Sequence, residues 1–224
     1  MDVTVFGDPI VFWMGRLPLT LATLTAFAVS TAVVVAALVL RHAAVRHPDS
    51  YLAIVAEMVV RWPEQLVTDI VGRPVPWLAV FSGTLFYFLA ASALAGQLPE
   101  VRTPTANIAV TSALAVLVFL TVPAAGIRAQ GLKRYLHHYI SPSPLMLPLE
   151  LMSELSRTFA LSVRLFGNML SGYLIVALIV ALVGVFVPMP LMALDLLIGM
   201  LQAYIFAVLS TVYIGAALRV REES

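Results

Sequence analysis

Residues 165–194 read LFGNMLSGYLIVALIVALVGVFVPMPLMAL, thirty positions without a single Asp, Glu, Lys or Arg. A helix of about 20 apolar residues crosses the hydrocarbon core of a bilayer, so this run is long enough to span and to spare. Arg164 stands immediately before it and Asp195 immediately after it. Four more uncharged runs lie elsewhere in the chain: Leu17–Leu40, Pro74–Pro99, Thr103–Ile127 and Leu196–Leu218, of 24, 26, 25 and 23 residues. Each predicts a membrane helix. Asp2 and Asp8 precede the first run, and its apolar core is too long for a cleaved signal peptide. Strand-period alternation does not repeat along the chain, which argues against an outer-membrane barrel.

Composition agrees with that reading. Of the 224 residues, 61% are hydrophobic and 11% are charged, where a soluble domain has about 45–50% and about 25%. The mean hydropathy is +0.99. Too little polar surface is available to coat a globule in water, which excludes a soluble enzyme. The net charge of +1 gives no basic footprint for nucleic acid. Without cysteine there is no disulfide, thiolate metal site or cysteine nucleophile. The expected fold is an all-α polytopic membrane protein, residues 1–224 forming one membrane domain of about five spanning helices plus a surface amphipathic helix.

Lys and Arg between the spans set the orientation. Arg41, Arg46, Arg61, Arg73, Arg128, Lys133, Arg134, Arg219 and Arg221 all fall on one side if the N-terminus is outside. The other side receives only Arg16 and Arg102. The prediction is an N-terminus outside and a C-terminus in the cytoplasm, in a bacterial inner membrane.

Between the first two spans, Tyr51–Gly72 carries Glu57, Arg61, Glu64 and Asp69 and cannot span. Ile54, Val55, Met58 and Val59 recur at helical spacing, and Glu57–Arg61 is an i,i+4 pair. An amphipathic helix at the cytoplasmic surface is expected. Residues 74–127 form a helical hairpin whose outer tip is Pro99–Pro104, and a second tip lies at Pro188 and Pro190. Arg128–Pro144 is a basic loop closed by the helix-breaking Ser141-Pro-Ser-Pro.

From Leu145 to Val187 the chain holds only Pro148 as a breaker. That is about 40 residues, roughly 60 Å of helix, longer than a bilayer is thick, so the helix tilts or lies partly along the membrane. Residues 145–218 are therefore read as one long tilted hairpin. With Arg164 at zero on a 100° wheel, Glu150 and Asn168 fall near about +40°, Arg157 near about +20°, and Ser153 and Ser171 near about −20°. One stripe thus carries nearly every polar group. Ala160 and Gly167 make one shoulder of it thin. Asp195, Gln202 and Tyr213 fall within about 20° of one another on the last helix, and a hairpin can turn the two stripes together into a polar seam.

Each of these residues has a structural and a functional reading. A charge at mid-membrane costs about 2.5–3.5 kcal/mol on insertion scales, and arginine cannot shed its proton. Arg164 either snorkels or pairs with Asp195, or it is a fixed cation awaiting a carboxylate on another subunit. Glu150 and Glu154 are either interface charges beside Arg157 or the lining of a wet cation entrance. Asp195 is either an interhelical hydrogen-bonding group or a deep proton acceptor. Asn168 and Gln202 are interhelical polar contacts or channel groups, and Tyr213 reads as an interfacial anchor. His42, His47, His137 and His138 read as solvated loop residues, poor ligands for haem or metal, so neither cofactor nor metal is expected. No Gly-x-Ser-x-Gly and no pair of deep aspartates suggests an intramembrane protease. A self-contained transporter stays open.

Arg164-Leu-Phe-Gly-Asn-Met169, inside Ser156-Arg-Thr-Phe-Ala-Leu-Ser-Val-Arg-Leu-Phe-Gly-Asn-Met, resembles the signature of subunit a of F-type ATP synthases. Glu150, fourteen residues before the arginine, and Leu201-Gln-Ala-Tyr-Ile-Phe206 followed by Tyr213 match the same family in order and spacing. The resemblance is strong from about Pro99 to Leu218 and rests before that on span order. It implies a non-catalytic stator subunit packed against a rotating ring of c subunits and held by peripheral-stalk b subunits. Arg164 would be the essential charge facing the ring carboxylates, and Gln202 its partner on the neighbouring helix.

Glu150, Ser153, Glu154, Asn168, Ser171, Asp195, Gln202 and Tyr213 would then line two offset half-channels carrying H⁺ to and from the ring. Two positions depart from the family pattern. Tyr173 stands where many bacterial members carry glutamate nine residues after the arginine. Asp195 stands where they carry histidine seven residues before the glutamine. On this reading the outer half-channel is rewired around Asp195, and sodium is the alternative ion.

Overall fold

The computed structural model describes residues 10–14, 17–46, 49–98, 103–131, 146–184 and 189–219. Arg16, His47, Pro99, Arg102, Lys133, Arg134, His137, His138, Ser141–Pro144, Pro188 and Arg221 lie outside them, as do the side chains of Glu150, Glu154 and Tyr173. Five described helices are long and apolar enough to cross a membrane: Ala22–Arg46, Pro76–Ala95, Ile108–Ala129, Leu155–Leu182 and Met189–Leu218. They answer one for one to the five uncharged runs.

The first run departs at its edges. Strand β1 (Ile10–Met14) pairs antiparallel with β2 (Leu17–Thr20), so the first four residues of the run are strand and helix α1 (Leu21–Arg46) starts after them. The helix continues through Arg41 to Arg46, which puts His42 on an exposed helical face and not in a loop. The run was read from absence of charge alone, and neither end of a helix is decided by where charge begins.

Helix α2 (Tyr51–Val71) starts at Ser50, whose hydroxyl accepts the Ala53 N–H at 3.3 Å. It ends at Gly72, whose φ of 81° is the left-handed conformation that a glycine C-cap supplies. The expected amphipathic helix is present, and a second set of its residues packs on the protein. Ile54, Val55 and Met58 are exposed, while Ala56, Pro63, Val67 and Val71 are buried. It runs antiparallel along α3 (Pro76–Ala95), with Val67 and Val71 near Leu78 and Ala79, Pro63 against Gly83, and Val59 at Tyr87.

Pro63 explains that docking. It lacks the N–H that would bond the carbonyl four residues back, which is that of Val59. The Tyr87 hydroxyl donates to this carbonyl at 2.7 Å. A methyl at Gly83 would stand 2.8 Å from Pro63 Cγ, so the ring nests where α3 has no side chain.

Helix α4 (Ile108–Gln130) is reached through a 3₁₀ turn, Pro104–Ala106, and is capped by Asn107, whose Oδ1 accepts the Ala109 N–H at 2.8 Å. Helix α5 (Met146–Val183) has 38 residues, about 57 Å of rise, as its length in sequence implied. Gly184 follows at φ 92°. Helix α6 (Met189–Arg219) begins before the uncharged run that predicted it, so Asp195 lies inside the helix. Pro190 stands second in it, where its missing N–H has no intrahelical partner to lose.

Two apolar clusters hold the helices. Val67, Val71, Leu78, Ala79, Val122, Ala125, Ile214 and Leu218 join α2, α3, α4 and α6 at one level. Leu85, Leu89, Ala90, Val118, Leu161, Leu165, Ala203 and Phe206 join α3, α4, α5 and α6 at the next. Phe206 is 0% exposed. Replacing Phe206 by alanine is expected to cost about 3–5 kcal/mol through the lost ring and the cavity it leaves. The readout is a lowered unfolding midpoint in detergent, and an unchanged midpoint would mean the cluster collapses around the loss.

Candidate functional site

Burial of Leu161 and Leu165 fixes the rotation of α5. Leu161 is 3% and Leu165 0% exposed, both within the second apolar cluster. Successive residues differ by about 100°, so seating Leu165 turns Arg164 away from the cluster, and its side chain is exposed. Ser153, Arg157, Ala160, Gly167 and Ser171 are exposed with it, so the stripe read from the wheel is an outward one. Among the described residues Arg164 makes no ion pair. The Arg61–Glu57 ion pair, at 2.5 Å, is on α2 with both side chains more than half exposed, where such pairs contribute little.

A hydrogen bond from the buried side supports the same rotation. Ser162, 7% exposed, has its Oγ 3.2 Å from Ser112 Oγ on α4. Neither serine stands out in the sequence, because serine is common in membrane helices and nothing local says which one reaches a neighbour.

The seam between α5 and α6 is visible at both ends. At one end Asp195, half-buried, lies against Gly172, where a methyl group would overlap its carboxylate. At the other, the Arg157 guanidinium stands 5.5 Å from the centroid of the Tyr213 ring, a cation–π contact. Tyr213 also packs on both apolar clusters, so it is a packing residue of the seam and not a free interfacial anchor. The distance spanned along α6 from Asp195 to Tyr213 is about 27 Å, close to the thickness of a hydrocarbon core.

Between those ends lie two amides with buried, unpartnered nitrogens. Gln202 is 5% exposed and its Nε2 has no hydrogen-bond partner; Asn168 is half-buried with Nδ2 equally unpartnered. Buried amide groups nearly always find partners, so both positions call for water or another chain. The Ser171 hydroxyl donates to the Asn168 carbonyl at 3.0 Å and leaves the amide free. The structure does not join Gln202 to Arg164: one is buried, the other turned outward. Asp195 does not pair with Arg164 either. Gly172, which it touches, is two turns beyond Arg164, about 12 Å along α5.

The backbone of Glu150 and Glu154 lies in the early turns of α5. Among the described residues no group of three His, Cys, Asp or Glu could hold a metal ion. A groove of about 780 Å³ is lined by Met58, Trp62, Phe86, Leu197 and Tyr204 among others. Its walls carry no carboxylate or base, and the Trp62 and Phe86 rings in its lining lie 4.4 Å apart, tilted by 40°.

The sequence matches the family described as "ATP synthase A chain" over residues 20–215, which extends well before the stretch whose motifs resemble that family. It is similar to "ATP synthase subunit a 2" of Bradyrhizobium sp., 42% identical over 97% of each chain. It is similar also to "ATP synthase subunit a 1" of Crocosphaera subtropica, 34% identical over 99% of this chain and 96% of that one. A third relative, "ATP synthase subunit a 2" of a Picosynechococcus species, is 45% identical over 75% of this chain and 72% of its own.

Proposed function

The chain belongs to the ATP synthase A chain family, and from that premise we propose that it is the membrane stator subunit of a rotary F-type ATP synthase, passing H⁺ between two offset half-channels and a ring of c subunits. The observation that carries this reading is Arg164: an exposed arginine in a membrane helix, on an outward stripe, without an ion partner among the described residues. Such a charge is costly in lipid, and a passing rotor carboxylate removes the cost.

The mechanism follows from charge. Opposite charge favours the ionised form of a carboxylate, so a rotor carboxylate gives up its ion on meeting Arg164. It takes a new ion from the other half-channel and re-enters lipid neutral. The fixed guanidinium also repels a cation that would pass directly between the half-channels. The driving force is about 2.3 kcal/mol per charge per 100 mV. Glu150, with Glu154 and Ser153 near it, is assigned to the cytoplasmic path. Asn168, Ser171, Asp195 and Gln202 are assigned to the outer path, Tyr213 bracing the far end of the seam. The unpartnered amides of Asn168 and Gln202 support water in that seam. Peripheral-stalk b subunits hold the chain, the N-terminus is outside and the C-terminus cytoplasmic.

The test uses inverted membrane vesicles with the whole complex, with and without this chain, under a pH dye and a sodium tracer. ATP-driven uptake of one ion that depends on the chain is expected, and the responding probe names the ion. Uptake that persists without the chain, or transport by the purified chain alone in liposomes, would return the self-contained transporter reading.

A further inference from the structure

We propose that Gly172 is a positioning residue: it is the socket that seats the Asp195 carboxylate of α6 against the backbone of α5. The proposal rests on the assignment of Asp195 as the outer-path acid.

The geometry is specific to this glycine. A Cβ at Gly172 would stand 2.6 Å from Asp195 Cγ and 3.1 Å from Oδ2, with Oδ1 nearer still. No real side chain tolerates such contacts. Asp195 is the short carboxylate, tied by one methylene to its own helix, so it must leave its present rotamer to clear such a side chain. On the same helix Gly167 has nothing within 4 Å of its absent Cβ, so a glycine in this stretch is not crowded merely by being there. The next contact along the seam is also close but apolar: a methyl at Gly199 would stand 2.8 Å from Ala93 Cβ and 3.0 Å from Met169 Cε. The carboxylate is thus lodged against the α5 backbone where no side chain intervenes.

Seating matters because of the neighbours. Gly172 is one turn after Asn168 on the same face of α5, and Asn168 Nδ2 is a buried donor without a partner. One residue before Gly172 is Ser171, exposed on the outward stripe with its hydroxyl on the Asn168 carbonyl. The socket brings an acid carried by α6 onto the flank of the α5 stripe that holds Arg164. At position 173 the α5 residue is tyrosine, so α5 has no acid of its own there. A side chain at 172 would push the carboxylate off that flank without removing any group that ionises.

The experiment compares Gly172→Ala, Asp195→Ala and the double variant in the assembled complex, with Gly199→Ala as a packing control. Subunit content and ATP-driven ion uptake in inverted vesicles are both read. Gly172→Ala is expected to lower coupled uptake at least tenfold, whereas in the Asp195→Ala background it should cause no further loss, because the overlap is gone. If Gly172→Ala blocks assembly, the double variant should restore it while uptake stays low. Gly199→Ala should reduce assembly, and Asp195→Ala should not repair that.

Normal uptake in Gly172→Ala overturns the socket, as does a further loss added to Asp195→Ala or failure of the double variant to assemble. Undiminished uptake in Asp195→Ala overturns the acid assignment instead. The two failures are therefore distinguishable.

Discussion

Arg164→Ala abolishes ATP-driven ion uptake while the complex assembles normally. That is the expected result, and its size follows from the energetics of a charge in lipid. Arg164 is exposed on α5 with both neighbouring core residues, Leu161 and Leu165, buried on the other side. Alanine removes the guanidinium without disturbing that packing, so assembly is preserved. A rotor carboxylate then meets no opposite charge. If the lost stabilisation equals the insertion cost of one charge, about 2.5–3.5 kcal/mol, ion release slows by roughly two orders of magnitude. Passive ion leak should rise in the same vesicles, since nothing separates the half-channels. Arg164→Lys keeps the charge but loses the planar fork, and should leave coupling impaired with less leak. Undiminished uptake in Arg164→Ala at matched assembly would falsify the proposed mechanism.

The second large effect is at Asp195. Asparagine has the same shape, fills the space over Gly172 and still makes hydrogen bonds, but it cannot carry a proton at neutral pH. Asp195→Asn should leave subunit content and thermal stability unchanged and reduce coupled uptake at least about a hundredfold, the low end of what a positioned acid or base contributes. Asp195→Glu keeps the charge and adds one methylene. It should be impaired as well, because the longer chain overruns the contact with Gly172. Full pumping by Asp195→Asn would remove Asp195 from the ion path.

Much of this was legible from charge alone. Five uncharged runs became five spanning helices because a bilayer tolerates little charge, and that rule does not depend on tertiary packing. Arg164 was legible for the same reason: an arginine next to thirty uncharged residues is a charge that lipid disfavours. What sequence could not supply is which face meets which. In α2 the apolar positions Ile54, Val55 and Met58 mark an amphipathic helix and are exposed, while Ala56 and Pro63, which that spacing does not single out, are buried against the protein.

In lipid, apolar side chains gain nothing by turning inward, and helix contacts go to small or shape-matched residues. Hydrophobic spacing is therefore silent about the interior. Gly172 was invisible for the same reason. Its importance lies in what it lacks, opposite a residue more than twenty positions away. The missing bond between Gln202 and Arg164 is a further case: order and spacing place them on neighbouring helices, but burial of Leu165 rotates the arginine outward.

The contact of Pro63 with α3 has a mechanical meaning. A stator must resist a torque equal and opposite to the one that turns its rotor. A proline in a helix is a soft joint, since the rod loses one of its longitudinal ties there. In α2 that joint is bridged: the Tyr87 hydroxyl takes the place of the absent tie, and the ring rests on Gly83. The weakest point of the rod is thus its point of attachment, so a sideways load on α2 passes into α3 at the joint. Because α3 also packs along α6, the helix that bears the seam and the helix that could buckle share one strut. Stiffness of the proposed ion path and bracing of the proline joint are then a single property of the fold.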